Sequence, residues 1–190
     1  MKRFAARQPV PLSACGSRAW ACLLVLLLAS CAQLERKSPE QPEFELSARL
    51  AARYGDETFS GNLAWSHARG SDEMLITSPF GAGVARIVRE GDAVVLTTAE
   101  PREYRAQDAE ALTQEVLGFR LPLRGLADWV RGRASPDAAP GIETFDEGRL
   151  KTLQQSGWNI EYLAYQADRP SRLRLLYPGI DLRLAVSEWK

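Results

Sequence analysis

From Phe44 onward the chain alternates between apolar and polar residues. Phe44, Leu46, Ala48, Leu50 and Ala52 share one face, and Glu45, Ser47, Arg49 and Arg53 share the other. A period of two marks a β-strand with one greasy side and one wet side. Gly55-Asp56 predicts a turn. Phe59, Gly61, Leu63 and Trp65 then alternate with Ser60, Asn62 and Ser66, which completes a hairpin. The pattern predicts a strand pair at 73–77 and 83–89, and a fifth strand at 93–98 after Gly91-Asp92. Late in the chain it resumes at 144–146, 149–155, 158–166, 172–177 and 182–189.

The middle of the chain changes period. Ala109, Leu112, Val116 and Leu117 form a helical stripe that starts at Asp108, a good N-cap, and stops at Gly118. Leu123, Leu126, Ala127, Trp129 and Val130 predict a second short helix closed by Gly132, and 132–143 reads as a loop. Roughly ten antiparallel strands with two short helices imply one large curved sheet whose apolar face needs cover. Either the sheet closes on itself, or a greasy hollow remains beneath the helices.

The N-terminus carries an address. Lys2, Arg3, Arg7 and Arg18 precede an apolar run over 19–29, too short for the ~20 residues that span a bilayer. The run ends in Leu28-Ala29-Ser30-Cys31, which looks like a bacterial lipobox. On that reading 1–30 is a signal peptide, and Cys31 receives an S-diacylglycerol and an N-acyl chain. Residues 31–43, with Pro39 and Pro42, are a polar tether of at most ~40 Å. Residues 44–190 are a single domain, long enough for a sizeable core.

Several functions drop out. The leader holds four basic and no acidic residues, so the remainder has 20 Lys and Arg against 24 Asp and Glu. That balance argues against a nucleic-acid surface. Cys15 and Cys22 leave with the leader and Cys31 goes to lipid, so no disulfide or metal site is expected. The single histidine, His67, has no partner set for a metal and is expected at the surface. No Gly-x-Ser-x-Gly elbow and no phosphate loop is present, and the chain does not read as an enzyme.

Ser78-Pro79-Phe80-Gly81 suits a type I turn with Phe80 at its tip. Phe80 is either an exposed apolar tip or a plug folded back onto the sheet. Trp65, Trp129, Trp158 and Trp189 either line a hollow or fill a core.

These pieces together resemble the LolB family of outer-membrane lipoprotein receptors. The resemblance rests on the lipobox, on Trp65, and on Ile76-Thr77-Ser78-Pro79-Phe80-Gly81. It continues in Tyr104-Arg105-Ala106-Gln107-Asp108-Ala109-Glu110 and in Leu117-Gly118-Phe119-Arg120-Leu121-Pro122-Leu123. Leu126-Ala127-Asp128-Trp129-Val130-Arg131-Gly132, Gln155-Ser156-Gly157-Trp158, Tyr162 and Trp189 complete it. It implies an incomplete antiparallel β-barrel under a helical lid, with a hydrophobic cavity inside.

The implied task is to accept lipoproteins from a periplasmic carrier of the LolA type and insert them into the outer membrane. The protein would be a monomer hung from that membrane by Cys31, with no cofactor. Phe80 takes the position of the family's exposed leucine, which passes cargo to the membrane. Leu63, Trp65, Leu75, Leu96, Leu117, Trp129 and Trp158 are the expected cavity lining. The alternative is a scaffolding outer-membrane lipoprotein that binds no lipid.

Overall fold

The computed structural model describes residues 41–100, 102–117 and 122–190, with only the backbone of 116 and 117. The leader, Cys31 and most of the tether lie outside the described residues. Eleven strands form one antiparallel sheet: β1 (Phe44–Tyr54), β2 (Glu57–Ala68), β3 (Ser71–Thr77), β4 (Gly83–Glu90), β5 (Ala93–Thr98), β6 (Glu103–Ala106), β7 (Ile142–Asp146), β8 (Arg149–Gln155), β9 (Trp158–Gln166), β10 (Arg169–Tyr177) and β11 (Ile180–Trp189). Their spatial order is β6-β5-β4-β3-β2-β1-β11-β10-β9-β8-β7, so the first strand pairs with the last and the two edges stay unjoined. The sheet is an incomplete barrel.

Two helices interrupt it, α1 (Ala109–Leu117) and α2 (Leu123–Val130). Asp108 caps α1 as its sequence predicts: Oδ1 accepts from the Glu110 and Ala111 amides at 2.9 and 3.3 Å. β6 is an addition to the expected ten strands. It has only four residues and pairs with β5 through Leu96↔Tyr104 and Val94↔Ala106. Four residues with one large apolar side chain give too short an alternation to register.

One face of the sheet curls inward around α2. Phe44, Leu46 and Ala48 of β1 join Leu63 and Trp65 of β2, Met74 of β3, Ile87 of β4, and Val94 and Leu96 of β5. Leu150, Leu153, Trp158, Ile160, Leu173, Leu175 and Leu184 bring the other half to the same core. α2 lies within the curl and buries every residue except Arg124. Two short helices were expected to leave the apolar face thinly roofed. Instead α2 sits inside the curl, where one helix touches both halves of the sheet.

Candidate functional site

The site is a buried interior, the helix that fills it, and an exposed tip at one end. Gln155, the last residue of β8, holds the helix in place. Its Oε1 accepts from Trp129 Nε1 and from the Ser135 amide, both at 2.8 Å. Its Nε2 donates to the carbonyls of Ser135 and Ala139 at 3.0 and 2.9 Å. All four hydrogen-bonding positions of this buried amide are used. Tyr162 Oη donates to the Trp129 carbonyl at 2.9 Å, and burial pushes that phenol far above its ordinary pKa.

The ends of α2 are also fixed. Arg124 pairs with Asp92 in the β4–β5 turn. Just past the C-terminus, Arg131 lies over the Phe44 ring and pairs with Glu43 at 3.0 Å and Asp128 at 3.0 Å. The lid helix is thereby tied to the root of β1, where the tether meets the domain.

Five of the expected lining residues meet in one core. Leu63, Trp65, Leu96, Trp129 and Trp158 are all buried, Trp129 completely. The Trp129 and Trp158 rings lie 6.2 Å apart. Side chains of α2 are buried between the sheet halves and join this core. Leu75 is a correction. It is 42 % exposed on the outer face, opposite Ala64 and Arg86, while Met74 faces in beside Trp65 and Ile87. A one-residue step along a strand reverses the face. Leu117 contributes backbone to α1, and its side chain lies outside the described residues.

His67 is a second correction. It is not a surface residue but the penultimate residue of β2, buried and stacked on Phe44. Its Nδ1 lies 2.6 Å from Asp72 Oδ1, which also accepts from Trp65 Nε1 at 2.9 Å. Arg89 Nε donates to Asp72 Oδ2 at 2.6 Å. Burial alone would raise the Asp72 pKa. The His67 hydrogen bond, the Arg89 charge and the Trp65 hydrogen bond outweigh it, so the carboxyl lies below its ordinary value. This buried quartet fixes the Trp65 ring. Its sequence signal was the period itself: Trp65, His67, Asp72, Met74, Ile87 and Arg89 all fall on inward positions.

Phe80 is the exposed member of the site. The Gly81 amide donates to the Ser78 carbonyl at 2.9 Å and closes the predicted turn. The Ser78 amide bonds the Ala82 carbonyl at 2.8 Å, and Asn62 Nδ2 holds the Ser78 carbonyl at 3.2 Å. Gly81 takes φ +89°, a region that suits glycine. Phe80 is left 98 % exposed, which excludes the core plug. The loop leaves β3 at Thr77, directly over Gly61, where a Cβ would overlap the Thr77 carbonyl oxygen. At this end of the inner face Leu50, Ala52 and Ile76 are only partly buried.

Among the described residues no helix is long and apolar enough to cross a membrane. The family model for the outer membrane lipoprotein LolB matches residues 42–189. The outer-membrane lipoprotein LolB of Thiobacillus denitrificans is 37% identical, covering 94% of this chain and 97% of its own length. Its counterpart in Nitrosomonas europaea is 35% identical over 91% of this chain and 92% of its own. A solved LolA superfamily protein from Nitrosomonas europaea aligns at 12% identity and TM-score 0.45, over 79% of this chain and 86% of that one. With most of its length matched and a third of its residues shared with these relatives, the chain belongs to the LolB family of outer-membrane lipoproteins.

Proposed function

We propose that this protein is the receptor that takes lipoproteins from a periplasmic LolA-type carrier and delivers them into the outer membrane. Cys31 carries the lipid that holds it there. Transfer asks no covalent chemistry of the protein. It asks for an apolar shelter, because each CH₂ exposed to water costs about 0.8 kcal/mol. The inner face of the curl is that shelter, and α2 is the lid that must yield to admit acyl chains. The observation that carries the reading is Phe80, an aromatic ring in solvent on a braced turn, at the end of the sheet where Leu50, Ala52 and Ile76 of the apolar face are only partly buried. Burying such a ring in hydrocarbon is worth roughly 1.5–3 kcal/mol, enough to dock the tip reversibly.

Transfer from loaded carrier to vesicles bearing the lipidated protein tests this. Phe80→Glu is expected to leave the fold and carrier contact intact and to strand cargo on the protein. Undiminished insertion by that variant would refute the role of Phe80.

The burial of α2 within the curl favours one alternative, a scaffolding lipoprotein with no lipid-binding activity. A fluorescent fatty acid separates the two. Saturable binding with displacement of α2 supports the receptor, and no binding supports the scaffold.

A further inference from the structure

The outer face of the sheet carries a feature outside the transfer site. One row of residues crosses the strands at the root of the Phe80 loop: Arg172 on β10, Ala185 on β11, Arg49 on β1, Asn62 on β2 and Thr77 on β3. The adjacent row runs Arg174, Arg183, Ala51 and Ser60. Small side chains form a floor between arginines. The resulting groove holds about 390 Å³ and reaches Pro79, next to the exposed tip. Leu163, which stands out at a β-bulge opposite Arg172 and Leu173, is 61 % exposed on its rim.

The charges are not balanced. Arg174 and Arg183 both bond Asp181, each through Nη2 at 2.9 Å, and Arg174 also nears Glu161 at 3.7 Å. Arg49 and Arg172 are exposed, and no carboxylate among the described residues lies within ion-pair distance of either. Two arginines therefore face solvent across an alanine in a chain whose mature part is acidic overall.

We propose that this groove binds the phosphate of an anionic phospholipid headgroup when Phe80 enters the bilayer. The inference rests on the Phe80 reading and gives it an electrostatic partner. The depth fits. Phe80 lies three residues beyond Thr77, at most ~10 Å. The headgroup layer is roughly 5–8 Å thick on each side of a ~30 Å hydrocarbon core. A ring in the hydrocarbon thus sets the Thr77 end of the row at the phosphates, with Arg49 two strands and Arg172 four strands along the same row. Guanidinium groups match phosphate oxygens in pairs, and exposed Leu163 and Pro79 suit the acyl boundary.

The full lipidated protein carrying Phe80→Trp, reconstituted in vesicles with and without phosphatidylglycerol, provides the test. Quenching by bromine-labelled acyl chains reports insertion of the tip, against the signal of the parent protein measured in the same vesicles. Anionic vesicles are expected to favour the inserted state. Arg49→Gln with Arg172→Gln should lower the ratio of inserted to withdrawn tip by about 5-fold per arginine, roughly 30-fold together. The matching lysine pair should retain insertion, which separates lost charge from lost fold. Equal quenching in both vesicles, unchanged by the glutamine pair, overturns the groove proposal and leaves the Phe80 reading standing. No quenching in any vesicle overturns both.

Discussion

Trp129 of α2 donates its indole hydrogen to Gln155 of β8 at 2.8 Å, so a buried amide ties the lid into the curl. Gln155→Leu keeps the volume but leaves Trp129 Nε1, the Ser135 amide and the carbonyls of Ser135 and Ala139 without their partner. Each unsatisfied buried group costs about 1–3 kcal/mol. The variant is expected to lose about 3 kcal/mol by urea unfolding and to bind a fluorescent fatty acid faster than the parent. Unchanged uptake would mean that this bond does not hold the lid.

Acid should loosen the opposite half of the interior. Asp72 has a folded pKa below its unfolded value of 3.8. Its contribution is present above the unfolded pKa and lost as pH falls through the folded value. Asp181, held low by its hydrogen bonds to Arg174 and Arg183, acts in the same direction. The melting temperature should therefore fall below about pH 4. Asp72→Asn is expected to flatten part of that decline while costing about 3–5 kcal/mol at pH 7, because Arg89 stays buried without its counter-charge. An unaltered acid limb in this variant would rule Asp72 out as a source.

The Phe80 loop depends on a residue it overhangs. Gly61→Ala places a methyl against the Thr77 carbonyl oxygen. Overpacking of this kind costs typically 1–3 kcal/mol. The variant should melt earlier and transfer cargo more slowly, with Phe80 unchanged in identity. Proteolysis within 78–82 provides the readout, and it should accelerate.

Phe80 itself should tolerate shape change but not charge. Phe80→Leu keeps an apolar tip and is expected to transfer at close to the parental rate, while Phe80→Ser should be severalfold slower. Equal rates for leucine and serine would show that apolarity at the tip is irrelevant.

Much of this molecule was legible because one period ran through it. The alternation from Phe44 to Trp65 places the same residues inward in the structure. The turn at Ser78-Pro79-Phe80-Gly81 followed from its own residue order. What the sequence hid was long-range. Nothing near Gln155 announces that its amide meets Trp129, twenty-six positions away. His67 is a polar type at an inward position of its strand, so residue type and register point opposite ways. Leu75 is the reverse, an apolar type at an outward position. The arginine row is dispersed across β1, β10 and β11 and becomes a cluster only when the first strand pairs with the last.

The central claim is that cargo acyl chains occupy the inner face of the curl on their way to the membrane. Photo-crosslinking from adjacent residues of β1 tests it most directly. Leu50 faces in and Ala51 faces out. With a photoreactive side chain at each position in turn, cargo arrested in transfer should label its acyl chains through residue 50 and not through residue 51. Labelling through residue 51 alone, or through neither, would contradict the account.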